Sequence, residues 1–368
     1  LDVAGAGAPP DEAAVTAPPS ANPLLANAPA DQGRGVAHFS LGSLFGMIDE
    51  TELARGHLTE AVDCYESAGE AFKRAEVLTS LAILEQHEGN FTAAVSALEK
   101  AHDLIEQDND QQDLDETLAT TTQLLGTAYR MSGRLEEARE TLGRALQQFE
   151  ALEDPSECAD TLDALGVVEQ IQGNYDAAEE LHLKALAVNE SIGSEDGMSL
   201  NYGNLTMLNL HLQNFDQAAT YAHQAYEVDK KLGNENGLAY FHLLMGEIEC
   251  WRGNYDEAEK HLTECMQQYE SIGDAEDRLS VKGKFAFLYR LRGDLDRAAE
   301  LNEEVLSAVE EMGFPDGVAA TLDELAHVRL AQGRTGDAKS TWERALQIYK
   351  ELNSVRMIRE ISEHLADL

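Results

Sequence analysis

The stretch that decides the fold runs from Leu162 to Ala185 and reads LDALGVVEQIQGNYDAAEELHLKA. Its apolar residues recur at intervals of three in the first half and of three and four in the second half. This spacing is typical of one face of an α-helix and not of a strand. Between the halves, Gly173 predicts a helix end because glycine accepts the left-handed conformation. Asn174, a good N-cap residue, predicts a new helix start. The stretch therefore predicts a helical hairpin.

The hairpin pattern repeats along the chain with a period of 40 residues. Fixed self-similarity at a period of about 20 to 50 residues is typical of a solenoid, in which each repeat packs on its neighbours. Two further turns with irregular spacing, at Gly56 and Gly89, raise the expected number of hairpins to eight, between about Ala37 and Leu352. The regular turns begin at Gly133, Gly173, Gln213, Gly253, Gly293 and Gly333, and five residues after each comes Ala138, Ala178, Ala218, Ala258, Ala298 or Ala338.

Helix ends are also predicted from the sequence. Asn214 followed by Gln217, and Asn254 followed by Glu257, have the spacing of capping boxes. The final segment, residues 354–368, has apolar residues on one side only. It predicts a capping helix, which covers the apolar face that the last hairpin would otherwise expose.

The string Gly166-x6-Gly173-Asn174-Tyr175-x2-Ala178-x6-Ala185 resembles the tetratricopeptide repeat (TPR). The ordinary repeat has 34 residues, and the six extra residues here lie in its longer arm. This lengthened repeat is similar to that of Pins-type adaptors and of bacterial regulatory TPR proteins. The resemblance implies an all-α fold, a right-handed superhelix of about eight helical hairpins plus a C-terminal capping helix.

Three segments are predicted along the chain. Residues 1–36 contain six of the eight prolines and read as an Ala/Pro-rich tail or linker, residues 37–353 as the tandem repeat array, and residues 354–368 as the capping helix. The first segment lacks the charged start and apolar stretch of a signal peptide. The sequence does not begin with Met, so we expect a processed form or a piece of a longer protein.

The composition limits the classes of partner. The chain has 68 acidic and 27 basic residues and a formal net charge of -41. Nucleic acids and anionic membrane surfaces are disfavoured, because both require clustered Lys and Arg. The acids are spread over all repeats, which favours a solvated surface, as in a salty habitat, over attraction of a basic partner. The sequence has no apolar run of about 18 residues, so no transmembrane helix is predicted. Four scattered cysteines favour a reducing, cytoplasmic compartment, with an exported form as the alternative.

Motifs of catalysis are missing from the sequence. It contains no phosphate-binding loop, zinc-protease motif, nucleophile elbow or dinucleotide fingerprint, so we predict a protein that is not an enzyme and uses no cofactor. The best acid–base cluster is His327 with Asp323 and Glu324. No nucleophile is recognisable near it, and a solvated helix face is the favoured interpretation.

One group of residues has the composition of a metal site. His261 and Cys265 lie one helical turn apart, and Cys250 lies on the partner helix. Cys265, however, occupies a position that is Ala in several other repeats. We therefore interpret it as a buried small hydrophobe and predict no metal site.

The resemblance implies that the first helix of each hairpin lines the concave side of the stack. Tyr240 and Trp251 are the best candidates for ligand anchors there. The alternative is plain packing, since Leu243 and Leu244 cannot both be exposed. Of the asparagine ladder that Pins-type grooves use to bind peptides, only Asn204 is matched. The predicted partner-binding groove comprises Asn204, Met207, Leu210, His211, Tyr240, Leu243, Glu247, Trp251, Lys284, Phe287 and Arg290.

Charge reverses locally between Arg278 and Arg297, where six basic residues accompany two acidic ones. Lys284 and Arg290 should both face inward, on either side of Phe287. They have two interpretations: pairing with acids of adjacent repeats, such as Asp323 and Glu324, or binding of acidic groups of a ligand.

These patterns favour a protein-interaction scaffold or adaptor that binds a peptide or helix of a partner in the concave groove. The alternative is the ligand-sensing regulatory domain of a larger signalling protein with an attached effector domain. An uncharacterised enzyme is a distant third hypothesis.

Overall fold

The computed structural model describes residues 28–107, 114–273, 275–313, 315–352 and 354–368, which form seventeen α-helices and no strand. Helices α1 to α16 alternate as the first and second helices of eight repeats, and α17 follows as the cap. The all-α solenoid predicted from the sequence is confirmed. The helices are α1 (Ala28–Met47), α2 (Thr51–Ala68), α3 (Ala71–His87), α4 (Phe91–Gln107), α5 (Leu114–Met131), α6 (Leu135–Ala151), α7 (Pro155–Gln172), α8 (Tyr175–Ile192), α9 (Glu195–His211), α10 (Phe215–Leu232), α11 (Glu235–Trp251), α12 (Tyr255–Ile272), α13 (Ala275–Arg292), α14 (Leu295–Glu311), α15 (Pro315–Ala331), α16 (Thr335–Glu351) and α17 (Val355–Ala366).

The described chain divides into two compact units, and the boundary passes through α4. Unit 1 contains α1 to α3 and most of α4. Its core includes Leu58 and Tyr65 of α2 and Val77 of α3, with Phe39 of α1 packed against them. Unit 2 contains α5 to α17, and its core is a series of clusters along the repeats, the last built around Trp342 and Tyr349. No helix in the described residues is both long and apolar enough to cross a membrane.

The turns inside the hairpins follow the prediction from the sequence. Gly173 ends α7 with φ 85°, and Gly293 ends α13 with φ 91°. Gln213 adopts the same left-handed region, with φ 57°, although it is not glycine. The turn geometry is therefore kept in the repeat that lacks the glycine, at the modest cost of a positive φ for a side-chain-bearing residue.

The capping boxes predicted at Asn214 and Asn254 are wrong. Both residues are N-caps with ψ near 62°, and neither side chain bonds the first turn of its helix. The Asn254 amide instead donates to Glu249 Oε2 at 2.6 Å. Side-chain caps occur at turns between repeats, where Ser194 and Asn234 have ψ above 90° and accept a bond from the third residue of the next helix. Inside a hairpin, Asp294 also caps its helix and accepts a bond from the Arg297 backbone nitrogen at 3.5 Å.

The first repeat also departs from the prediction. Its turn lies at Asp49, with φ 58°, and Gly56 is inside α2. The small residues five and twelve positions after Asp49 are Ala54 and Ala61, both fully buried. Aspartate tolerates the left-handed region better than most residues, so this turn carries no glycine signal. Because α1 begins at Ala28, residues 28–36 of the predicted tail are helical. Residues 1–27 of the predicted tail lie outside the described residues.

The two helices of a hairpin approach closely at a seam of small residues. The alanine five positions after each regular turn, from Ala138 to Ala338, is completely buried. On the first helix, a Cβ added to Gly126 would lie 2.6 Å from Leu142 Cγ and 3.1 Å from the Leu142 backbone nitrogen. Glycine is required here because the two helices lie close together, and not because of a backbone angle.

We predict that Gly126→Ala lowers the free energy of unfolding by about 1–3 kcal/mol, because the methyl group overpacks the seam against fully buried Leu142. The matched control is Gly203→Ala in α9, where an added Cβ meets nothing within 4 Å. The control should gain up to about 1 kcal/mol from helix propensity. Urea denaturation followed by circular dichroism measures both values, and equal effects of the two substitutions would contradict the seam.

Candidate functional site

The first helices of successive repeats lie side by side in unit 2. Helix α7 contacts α5 and α9, and the series continues through α11 and α13 to α15. A cleft of about 660 Å³ is lined both by α5 and α7 and by α16 and α17, which come much later in the chain. The row of first helices therefore forms a concave face within unit 2.

Two large aromatic side chains are exposed on α11. Tyr240 is 39% and Trp251 48% exposed. They are eleven residues apart, which is about three helical turns, so they share one face about 16 Å apart. The Trp251 ring stacks on Phe215 with centroids 6.4 Å apart and contacts Phe287 of α13 at 5.2 Å. Trp251 is thus held in place by two neighbouring repeats while about half of its surface remains available.

Phe287 also lines a cleft of about 450 Å³ between α13 and α15. The space exists because Gly283, Gly317 and Ala320 offer little or no side chain where the two helices face each other. Helix α14 provides an apolar floor. The residues lining the cleft include Val305 and Val309 on the floor and Lys284, Asp316 and Glu324 at its polar edge.

The inward cations of α13 are both paired with acids of adjacent repeats. Lys284 Nζ lies 2.5 Å from Glu247 Oε2. Arg290 makes a bidentate pair with Glu324, with Nε and Nη2 at 2.5 and 3.0 Å from the two carboxylate oxygens. The guanidinium carbon also lies 5.2 Å from the Phe287 ring centroid. Of the two interpretations of these cations, pairing between repeats is the one found in the structure.

Asn204 belongs to a buried polar network. Its Nδ2 donates to Asp163 Oδ2 at 2.6 Å, while Asn201 donates to Asp163 Oδ1 at 2.9 Å and His182 Nδ1 lies 2.7 Å from that oxygen. Asp163, His182 and Asn201 are buried. The amide nitrogen of Asn204 is therefore engaged with the preceding repeat. Sequence reasoning missed this network, although His182 stands where Leu142 and Leu262 stand in other repeats, and that contrast is a usable signal.

The apolar members of the predicted groove are less accessible than its aromatic ones. Leu210 is only 8% exposed and packs with Phe241 and Ile248. It therefore differs from the expectation for a groove residue, because its side chain fills the space between α9 and the following repeat. Met207 and Leu243 are partly buried against core clusters and keep part of their surface open.

His211 contacts the capping helix. Its Nε2 lies 2.5 Å from Arg356 Nη1, and its Nδ1 lies 2.8 Å from the Met207 carbonyl oxygen. Arginine can only donate, so Nε2 of His211 accepts this bond, and Nδ1 also lies 3.3 Å from the Gln170 amide nitrogen. The start of α17 thus reaches α9 across the concave face, a contact between residues 145 positions apart. Nothing in the sequence pattern predicts it.

Arg130 and Arg356 both line the larger cleft, and Arg130 has no ion pair within the described residues. Its Nε is buried without a hydrogen-bond partner. Burial lowers the pKa of this guanidinium, and the charge of Asp163 opposes the shift. Arg130 is therefore a cation with a hydrogen-bond donor, Nε, that has no acceptor in the described residues.

The cysteines interpreted as hydrophobes pack in the core. Cys265 is completely buried in one cluster with Cys250 and Leu262. Burial raises the pKa of both thiols to about 12. They therefore stay protonated near neutral pH and are poor nucleophiles and poor metal ligands. His261 turns to His242 instead, with Nδ1 atoms 2.9 Å apart.

We predict that Arg290→Met lowers the free energy of unfolding by about 2–3 kcal/mol near neutral pH, somewhat less than the loss for a fully buried pair. Burial raises the pKa of Glu324, and the hydrogen bond from Arg290 opposes that rise. Without Arg290 the native carboxyl binds its proton still more tightly than the unfolded one. The loss of stability caused by Arg290→Met should therefore become smaller as the pH falls through the raised pKa of Glu324.

Urea titrations at about pH 7 and about pH 5 measure this effect. The double variant with Glu324→Gln should lose the extra pH dependence, since glutamine does not titrate. Lys260→Met, in an exposed pair with Glu257, is the control and should change stability little. An equal loss at both pH values for Arg290→Met would contradict the role of Glu324.

Three parts of the chain match a known protein family. Residues 73–151, 157–231 and 237–311 match the family model described as Tetratricopeptide repeat. No curated protein sequence matches the chain. Similar solved structures include the Rap conjugation gene regulator of the plasmid pLS20 in complex with the Phr* peptide, with 13% identity, a TM-score of 0.62 and coverage of 89% of this chain and 96% of that one.

Two more structures share the fold. Aspartyl phosphate phosphatase F from Bacillus subtilis has 18% identity and a TM-score of 0.60, covering 75% of this chain and 72% of that one. A signal transduction ATPase with a tetratricopeptide repeat sensor from Pyrococcus horikoshii has 17% identity and a TM-score of 0.56, covering 90% of this chain and 49% of that one. The chain thus spans about half the length of that ATPase. Because the family model matches more than half of its residues, the chain belongs to the tetratricopeptide repeat family.

Proposed function

We propose that this chain is a protein-interaction scaffold that binds a peptide or a helix of a partner protein on the concave face of unit 2. The observation that carries the proposal is the exposure of Tyr240 and Trp251 on one face of α11. Exposed aromatic residues held by packing lose little conformational freedom on binding and are common energetic hot spots of interfaces. The ligand would lie across these two rings.

The neighbouring cleft between α13 and α15 supports the same proposal. Its volume of about 450 Å³ falls within the range of about 300–1,000 Å³ typical of ligand pockets. Its floor is apolar, and Phe287 connects it to Trp251. We therefore expect a ligand segment with at least two bulky apolar side chains, one against Trp251 and one in the cleft.

Charge on the ligand would be recognised elsewhere. Lys284 and Arg290 are neutralised by Glu247 and Glu324, so an acidic group of the ligand gains little beside them. Arg130 has no ion pair within the described residues. A carboxylate of the ligand would therefore be bound near Arg130, in the larger cleft.

The fold relatives support a binding role. The Rap regulator is named as a complex with a peptide, and its likeness to this chain extends over most of both proteins. Another relative is named as a phosphatase. We infer a non-catalytic role for this chain, because its sequence has none of the catalytic motifs sought above.

A second candidate function is a ligand sensor within a longer protein. Two observations favour it. Arg356 of α17 contacts His211 of α9 across the concave face, where a ligand would lie, and a relative of twice the length is named for its tetratricopeptide repeat sensor. In this proposal the ligand displaces Arg356, and the movement of α17 is transmitted to an attached effector domain.

The scaffold proposal is tested with peptides selected from a random display library on the parent chain. We expect Trp251→Ala and Tyr240→Ala each to weaken binding by on the order of 2 kcal/mol, which is about thirtyfold, because each removes a buried contact of the complex. Leu183→Ala, at a 40% exposed position on the second helix α8, is the control and should bind like the parent.

Fluorescence anisotropy of labelled peptides measures the affinities, and circular dichroism checks the fold. If Trp251→Ala unfolds the chain, Trp251 is a core residue and the proposal fails at that position. If both variants bind like the parent, the selected peptides use a different surface.

The sensor proposal makes a separate prediction. If the ligand must break the contact with His211, Arg356→Ala should bind the selected peptides more tightly than the parent, because the competing contact is gone. Hydrogen exchange of α17 should rise on peptide binding in the parent. Unchanged affinity in Arg356→Ala together with unchanged exchange in α17 would exclude the sensor and leave the scaffold.

A further inference from the structure

We propose that Asp323, His327 and His364 form a binding site for a divalent transition metal ion of the Zn²⁺ type. Asp323 and His327 lie on α15, and His364 lies in the last turn of α17. Their potential ligand atoms all lie within 4.8 Å of one another. Two imidazoles and one carboxylate are a ligand set that zinc and its neighbours bind, with a remaining position for water.

The spacing of the ligands is close to what an ion requires. His327 Nε2 lies 3.7 Å from Asp323 Oδ1, and the ring centroids of His327 and His364 are 4.8 Å apart at an interplanar angle of 78°. Ligands at about 2.0–2.1 Å from a tetrahedral ion lie about 3.3 Å from one another. Small rotations of the side chains therefore suffice, and all three residues are only partly buried, so an ion has access.

Trp342 orients two of the three ligands. Its Nε1 donates to Asp323 Oδ1 at 2.7 Å, which fixes the orientation of the carboxylate, and the same oxygen keeps a further lone pair. The indole also stacks on His364 with centroids 5.3 Å apart and contacts the His327 ring edge-on at 5.1 Å. Metal ligands are commonly held by such outer hydrogen bonds and packing, which reduce the cost of organising the site.

The cluster contains one carboxylate, that of Asp323. The only ion-pair distance of Asp323 in the described residues is the 3.7 Å to His327 Nε2. The guanidinium of Arg290 is already engaged in its bidentate pair with Glu324. A divalent ion would supply the positive charge that the Asp323 carboxylate lacks.

This cluster differs from the other group of potential ligands found in the described residues. His102, Asp103 and Glu106 follow one another within about a turn of α4, and their two acids are exposed. Such a surface group is common without an ion. At Asp323, in contrast, the ligands come from two helices and are oriented by a fourth residue, as in a built site.

Metal binding here would join the capping helix to α15. His364 lies 37 and 41 positions after the other two ligands in the sequence, and the unfolded chain does not hold it near them. An ion that binds only the folded form stabilises it in proportion to its concentration and affinity. The inference is independent of the groove function, since it concerns how α17 is fastened.

The experiment uses the tryptophan within the site. The chain has two tryptophans, so Trp251→Phe leaves Trp342 as the single emitter. Titration with Co²⁺ should quench the Trp342 fluorescence and produce the visible absorption of tetrahedral cobalt with one equivalent. Zn²⁺ should reverse both signals and raise the midpoint of thermal unfolding.

Three ligand variants and one control complete the test. His327→Gln and His364→Gln should weaken Co²⁺ binding by more than about a hundredfold, and Asp323→Asn, which can still accept the bond from Trp342, by about ten- to a hundredfold. His364→Cys supplies another zinc ligand and should retain Zn²⁺ binding if the glutamine variant is poorly folded. His223→Gln, at an exposed histidine on α10, should bind like the parent.

The proposal is overturned if Co²⁺ binds the parent and His364→Gln with equal affinity, or if His102→Gln abolishes the binding instead. It is also overturned if Zn²⁺ shifts the unfolding midpoint equally in the parent and in all ligand variants, because the ion is then held by scattered surface groups. The proposal is likewise overturned if Co²⁺ does not quench the fluorescence of Trp342 in the parent.

Discussion

The close approach of the two helices within each hairpin is the constraint on which the structure depends. It requires small residues at fixed positions, such as Ala178 and Ala258, which have no accessible surface, and glycine where a side chain would strike the partner helix, as at Gly126 against Leu142. A fixed seam orients the first helices, and the first helices contact one another in order along unit 2. The exposed rings of α11 and the cleft between α13 and α15 lie on that row, so the candidate site inherits its geometry from the seam.

The strongly acidic composition has a consequence for the groove. With 27 basic and 68 acidic residues, most inward or boundary cations find carboxylates about one repeat away. Lys284 pairs with Glu247, Arg290 with Glu324 and Arg252 with Asp216. Exposed pairs contribute little stability each, but the partly buried ones fix the relative positions of neighbouring repeats. They also neutralise the inward cations Lys284 and Arg290 of α13, whereas Arg130 keeps a buried Nε without a hydrogen-bond partner in the described residues.

Helix α17 does more than cover the last hairpin. Its N-terminal end supplies Arg356 to the imidazole of His211 on α9, and its C-terminal end brings His364 to His327 on α15. One short helix thus connects the middle and the end of unit 2. Since terminal helices of repeat proteins fray most easily, side-chain contacts at both of its ends are an effective way to hold it.

The sequence by itself determined the helices, the repeat period, the left-handed turns at residues such as Gly173 and Gly293, and the identity of the exposed aromatic residues Tyr240 and Trp251. These are local properties, set by helical periodicity and glycine conformation within one or two repeats. It misplaced the first turn, because Asp49 adopts a glycine-like angle. It also predicted side-chain caps at Asn214 and Asn254 that do not form.

The tertiary structure alone determined which polar groups already have partners and which distant residues come into contact. The pairing of Arg290 with Glu324, the engagement of Asn204 by Asp163 and the burial of Leu210 depend on the distance between neighbouring repeats. Asp323 and His327 were recognisable in the sequence as a cluster one turn apart. The third member, His364, is 37 residues away from His327, and it joins them because α17 turns back toward α15 when it buries its apolar side. No periodicity encodes that meeting, since it arises from the packing of a terminal helix that has no next repeat to follow.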